Sequence, residues 1–161
     1  MTARVLHDPE DRYYEDFAVG EVVLTRGRTV EASDLIAFAG LTGDHYPLHI
    51  DEEFCKGTRF GTRIAHGPLT YAIGVGLVGM TGYYGNGIVA MLEVQSLKAL
   101  KPVVPGDTLS VRADVVACEP GESPRHGSVQ VAYSVRNQRD DEVMTWLQIM
   151  LARRRTEADH G

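Results

Sequence analysis

Cysteine is scarce in this sequence: two residues, Cys55 and Cys118, among 161. They form no CxxC pair and no disulfide pattern, which argues against a disulfide-stapled secreted fold and fits a reducing compartment. A long hydrophobic run is also missing. The longest candidate, around Gly74 to Met80, is short and glycine-laden, well below the roughly 18 apolar residues that a membrane span needs. No membrane partner is expected. The opening residues, Met1 to Arg12, are polar and charged and do not form a signal peptide, so the cytoplasm is the expected location. Positive charge is in deficit: Lys+Arg total 16 against 22 Asp+Glu, a formal charge of -6. A net acidic chain binds polyphosphate poorly, so no nucleic-acid partner is expected. Repeats, low-complexity tracts and linkers are absent too. The composition, 43% apolar and 24% charged, suits one globular domain over residues 1–161 with loose ends at about 1–12 and 156–161.

The pattern along the chain changes period once. Glu21 to Val30 reads as a first strand. Leu35, Ile36, Phe38, Ala39 and Leu41 then cover one face of a helix, with Asp34 in its first turn and Gly40 and Gly43 at its end. Asp44 to Arg63 mixes charges, prolines and glycines, which predicts irregular chain with one short helix near Glu52 to Lys56. His66-Gly67-Pro68 is a helix-start signal, because proline at the first helical position loses no needed N–H. Leu69 to Tyr84 is nearly free of charge, so this helix is expected to be buried on nearly all sides. Its glycines, Gly74, Gly76, Gly79 and Gly82, each cost helix propensity of about 1 kcal/mol. Close packing against another backbone is the expected compensation.

From Gly87 the period becomes two. Ile88 to Leu100, Leu109 to Val115, Val129 to Val135 and Val143 to Leu151 read as four strands separated by turn residues. They are long, on the order of ten residues each against the usual five or six. The expected class is α+β: a long curved antiparallel sheet wrapped around a glycine-rich helix, the layout of a hotdog fold. The closing sheet edge of such a fold commonly pairs with a second subunit, so a homodimer or higher homo-oligomer is expected.

Two segments carry chemistry. In Thr42-Gly43-Asp44-His45-Tyr46-Pro47-Leu48-His49-Ile50-Asp51, the carboxylate of Asp44 and the imidazole of His49 can converge on one water and manage its protons. Pro47 argues against a helix running through this turn. A solvated loop with Asp44 capping it is the plain alternative. In Ile64-Ala65-His66-Gly67-Pro68, the free N–H groups of a helix start can stabilise negative charge on a carbonyl oxygen, which makes Gly67 a candidate oxyanion hole. An ordinary helix start with a semi-buried His66 is the alternative there. Three other patterns carry less. Gly74-x-Gly76-x-x-Gly79 with Glu93 matches a dinucleotide fingerprint but lies inside a predicted helix. His45 and His49 have a metal-like spacing with Pro47 between them and no glutamate, so no metal is expected. Cys55 reads as a filler rather than a nucleophile. The basic residues Lys56, Arg59, Arg63, Lys98 and Lys101 flank these segments and read individually as solvated surface.

Phe38-Ala39-Gly40-Leu41-Thr42-Gly43-Asp44, Pro47-Leu48-His49-Ile50-Asp51 and Ile64-Ala65-His66-Gly67 resemble the MaoC-like dehydratase family, which includes the (R)-specific enoyl-CoA hydratases. The resemblance runs from roughly Phe17 to Arg153 and takes in the Pro105-Gly106-Asp107 turn. It implies a hydro-lyase that adds water to a trans-2-enoyl-CoA and gives a (R)-3-hydroxyacyl-CoA, or the reverse. Asp44 and His49 would be the catalytic pair, Gly67 the oxyanion donor, and Tyr46 and His66 substrate-contacting residues. The family pattern has asparagine where this chain has Tyr46, which alters the expected pocket. No metal or redox cofactor is implied, since the thioester is itself the electron sink; the acyl carrier would be coenzyme A or acyl carrier protein. Two other readings stand beside it: a hotdog thioesterase, disfavoured because Leu69 to Tyr84 lacks Asp and Glu, and a non-catalytic acyl-binding protein or dehydratase subunit.

Overall fold

The computed structural model describes residues 9–156. A single 3-10 turn, Tyr14–Asp16, leads into β1 (Val22–Leu24), β2 (Arg28–Thr29), α1 (Ala32–Thr42), α2 (Pro47–Ile50), α3 (Glu52–Lys56) and α4 (Gly67–Gly79). Four long strands follow: β3 (Ile88–Ala99), β4 (Thr108–Glu119), β5 (His126–Arg136) and β6 (Glu142–Arg153). The sheet order is β1-β4-β5-β6-β3, every pair is antiparallel, and β2 also lies on β4. Alternation sets the inner face. Val129, Val131, Tyr133 and Val135 on β5 and Met144, Trp146 and Met150 on β6 are buried, and they share one apolar cluster with Leu69, Ile73, Leu77 and Val78 of α4. The sheet therefore wraps α4, as expected for a hotdog fold.

Several local expectations needed correction. The first strand is two pieces, because the pairing sums shift by one residue between Leu24↔Arg112 and Arg28↔Leu109. The extra residue is absorbed at Thr25, whose hydroxyl oxygen accepts the Val111 N–H at 2.9 Å where a ladder carbonyl would have stood. Pro47 opens a helical turn instead of preventing one, since it occupies the first position of α2. Helix α4 ends at Gly79 rather than near Tyr84. The chain then turns through Gly82 (φ +73) and Gly85 (φ +50), conformations that favour glycine.

Helix α4 is also not buried all round. Leu69, Thr70, Ile73, Gly74, Leu77 and Val78 face the sheet, whereas Ala72, Gly76 and Met80 are exposed. Only one of its four noted glycines answers to close packing. A Cβ on Gly74 would lie 2.7 Å from Cη2 of Trp146 and 3.1 Å from Cγ2 of Val135, so the contact is to an indole ring and not to a backbone. A Cβ on Gly76, Gly79 or Gly82 would meet nothing within 4 Å among the described residues.

Residues 1–8 and 157–161, most of the ends expected to be loose, lie outside the described residues. The described part of the first end is tied down. The Arg12 guanidinium lies over the rings of Phe17 and Tyr83, 4.1 Å from each centroid, and bonds Glu21 at 3.1 Å.

The Gly74 contact sets how near α4 comes to the sheet. Gly74→Ala should destabilise the fold by about 1–3 kcal/mol, because overpacking outweighs the gain in helix propensity. Urea denaturation of the two proteins checks this, and equal midpoints would contradict it.

Candidate active site

Helix α1 delivers the chain to the site and stops there. Asp34 accepts the Glu31 N–H at its start, and Gly43 ends it in the left-handed region (φ +78), donating to the Ala39 carbonyl at 2.8 Å. Asp44 follows at once. Its side chain is 53% exposed. One of its carboxylate oxygens accepts the Tyr46 N–H at 3.3 Å, a backbone contact that any residue at this position can make.

His49 sits on α2. Its Nδ1 donates to the Ile64 carbonyl at 2.7 Å, which leaves Nε2 as the free lone pair of the neutral ring. His66, the residue before α4, stacks on His49 with ring centroids 3.7 Å apart. Donor atoms of Asp44, His49 and His66 all lie within 4.8 Å of one another. The turn and the helix start, separate segments in the sequence, thus form one cluster.

A cavity of about 270 Å³ opens beside it, lined by His49, Gly67, Thr70, Leu100, Val143 and Met144, with Arg59 and Lys101 also on its wall. Gly67 begins α4, where first-turn N–H groups have no partner four residues back and no side chain caps the end. The positive end of the helix therefore faces the cavity wall. Its φ is not in the left-handed region, and a Cβ there would meet nothing within 4 Å among the described residues, so neither strain nor crowding demands glycine at this position.

The remaining expected residues fall in different places. Tyr46 is 55% exposed and does not line the cavity, although its ring lies 6.3 Å from that of His49. His66, expected to contact substrate, is 1% exposed and does not line the cavity. His45 joins no cluster with His49; its ring contacts the Gly43 carbonyl. As for a metal, His49 and His66 each use one ring nitrogen on a backbone carbonyl and keep the other, an arrangement that metal-ligating histidines share, so the spacing argument against a metal at His45 and His49 does not extend to the group Asp44, His49 and His66. The glycine fingerprint lies within α4, not at a strand-to-helix turn.

Surrounding charges are mostly paired. Lys101 bonds Asp141 at 2.5 Å, and that contact holds the Asp141 carboxyl below its ordinary range. Arg63 bonds Glu52 at 2.9 Å and lowers the Glu52 carboxyl in the same way. Arg59 lies over the Phe60 ring at 4.8 Å. Cys55 is fully buried against the Pro47 and Leu48 carbonyls, and burial pushes its thiol up, away from thiolate chemistry. Sequence reasoning missed the Ile64 carbonyl and the cavity wall from Leu100 to Val103 and at Val143 and Met144; apolar strand ends give no chemical signal.

The model of the MaoC-like domain matches residues 16–137, which take in both the Asp44–Asp51 turn and the start of α4. The chain belongs to the MaoC-like family. It is 37% identical over 108 residues to the (R)-specific enoyl-CoA hydratase of Rhodospirillum rubrum, a match covering 67% of this chain and 72% of that protein. It is 34% identical over 104 residues to Protein MaoC of Klebsiella aerogenes, covering 65% of this chain but only 30% of that longer protein. The solved MaoC-like dehydratase from Rhodospirillum rubrum superposes with a TM-score of 0.81 at 32% identity, over 91% of this chain and 99% of that one. No helix among the described residues is long and apolar enough to cross a membrane.

Because a Cβ at Gly67 has open space, Gly67→Ala should leave the melting temperature unchanged to within a few degrees, roughly the span of 1 kcal/mol. A collapse of the melting transition would contradict that account of Gly67.

Proposed function

We propose that this MaoC-like chain catalyses the reversible addition of water to a trans-2-enoyl thioester of coenzyme A or acyl carrier protein, giving the (R)-3-hydroxyacyl thioester. One observation carries the reading: the Asp44 carboxylate and the His49 imidazole have donor atoms within 4.8 Å, and His49, though not Asp44, lines a cavity whose wall includes the start of α4. That separation suits one water bonded to both groups.

Nε2 of His49 accepts one proton of the water while the Asp44 carboxylate accepts a hydrogen bond from the other. The water oxygen bonds to the β-carbon. The double-bond electron pair moves toward the α-carbon and the thioester carbonyl. The Gly67 N–H and the positive end of α4 stabilise the oxygen as it gains enolate character; removing one donor of this kind elsewhere costs about 3–4 kcal/mol. The proton taken from water returns at the α-carbon, so the reaction balances and needs no other reactant. Helix α4 contains no Asp or Glu, which speaks against the thioesterase alternative.

A second copy of the chain is the proposed partner. Strand β3 ends the sheet, and Val89, Met91, Leu92 and Leu97 are each about half exposed, on both of its faces. Such an edge is a pairing surface. The protein should sediment as a dimer or larger; a monomer at micromolar concentration removes this part of the proposal.

Loss of the conjugated-enoyl absorbance of crotonyl-CoA is the direct assay. Asp44→Asn and His49→Ala should each lower kcat at least about 100-fold, the lower range for positioned acid–base groups. Their melting curves should stay close to that of the unmodified protein. Turnover of short, branched and longer enoyl-CoAs that is equal in all three proteins would remove the mechanism. Binding without turnover in the unmodified protein would favour the non-catalytic reading instead.

A further inference from the structure

His66 carries a feature that packing alone does not explain. It is 1% exposed, yet its Nδ1 has no hydrogen-bond partner among the described residues. An orphaned buried nitrogen costs stability that a phenylalanine or leucine in the same space would not. The other nitrogen is specific. Nε2 lies 3.0 Å from the Asp44 carbonyl oxygen and 4.0 Å from its carboxylate, both acceptors, so Nε2 carries the hydrogen. One face of the His66 ring stacks on His49, and the ring of Phe38 from α1 lies 5.0 Å away.

We propose that His66 is the positioning residue for the water-binding pair. It grips Asp44 through the backbone carbonyl and His49 through its ring face, and so fixes the distance between them. This role rests on the hydratase reading for its kinetic consequence but not for its structural one. The neighbouring contacts support it. His66 lies two residues after Ile64, whose carbonyl takes the His49 Nδ1 hydrogen, so one short segment holds the imidazole by its Nδ1 edge and by one face. A misplacement on the order of 1 Å can cost a reaction about 100-fold, which makes such a clamp kinetically visible.

Two substitutions separate the two grips. His66→Phe keeps a ring for stacking and loses the donor to Asp44. His66→Gln keeps an amide N–H that can reach the Asp44 carbonyl and loses the ring. With an enoyl-CoA substrate, His66→Phe should lower kcat about 10- to 100-fold with KM changed less than threefold, and His66→Gln should recover a large part of that loss. A merely structural role predicts instead loss of soluble protein, or equal kcat losses that follow the melting temperature. A second readout is independent of turnover: nitrogen-15 spectra of the histidine rings. The unmodified protein should hold His49 as the single tautomer protonated at Nδ1; His66→Phe, which keeps the stacked ring, should hold it too, and His66→Gln should mix in the other. If the unmodified protein shows no turnover, the hydratase reading fails while the tautomer spectra still decide the role of His66. If His66→Phe does not fold, the His66→Gln spectra and kinetics decide it alone. An unchanged kcat together with an unchanged His49 spectrum in either folded variant overturns the proposal.

Discussion

Three consecutive residues, Ile64 to His66, hold the Asp44–Asp51 turn against the central helix. The Ile64 N–H bonds the Leu48 carbonyl at 3.0 Å, and the Ile64 carbonyl accepts the His49 Nδ1 hydrogen at 2.7 Å. The Ala65 N–H bonds the Val103 carbonyl at 2.7 Å, which ties the segment to the strand connection that forms the far cavity wall. The His66 ring reaches the Asp44 carbonyl. Backbone carbonyls accept all four of these bonds, two from backbone N–H groups and two from histidine rings, so the bracket needs those two side chains and no others. The tautomer of His49, the place of Asp44 and the start of α4 all follow from this one bracket.

The second constraint is the depth at which α4 lies. Gly74 lets the helix settle onto the Trp146 indole, and Tyr133 stacks on the same indole with centroids 4.4 Å apart. Tyr71 of α4 meets Trp146 edge-on at 4.9 Å and bonds the buried Gln148. These contacts fix the helix along the sheet, and through it the height of its N-terminal N–H groups at the cavity. The Pro105-Gly106-Asp107 turn, tied to Val30 just before α1, is also held by buried polar contacts. Asp107 is 2% exposed and accepts hydrogen bonds from the Val104 N–H and the Gln138 amide. Gly106 is left-handed (φ +97) and donates to the Val30 carbonyl. The apolar core thus supplies the cohesion, and a few buried polar groups supply the register.

Much of this was legible in the sequence because period and punctuation are local properties. The alternation Val129-Val131-Tyr133-Val135 can serve only a sheet with one buried face. His66-Gly67-Pro68 can hardly do other than start a helix. The Asp44 and His49 pair could be named because few residue types manage protons and Pro47 holds the spacing between them. The misreadings share a different cause. The shift at Thr25 depends on a hydroxyl replacing a carbonyl across to β4, and the role of Gly74 depends on a tryptophan seventy-two residues away (146 − 74). Charge-free helix sequence suggested burial on all sides, but one face of α4 lies open within a single chain.

The sequence by itself determined the class of fold, the order of its long elements, and which side chains could do chemistry on water and a carbonyl, since all three follow from residue type and spacing along the chain. Only the tertiary structure decided that Asp44, His49 and His66 meet, that His66 is buried and off the cavity wall, and which nitrogen of His49 is free. Those outcomes hang on backbone carbonyls at Asp44 and Ile64. Every residue carries such a group, so no pattern of side chains can announce which ones will be used.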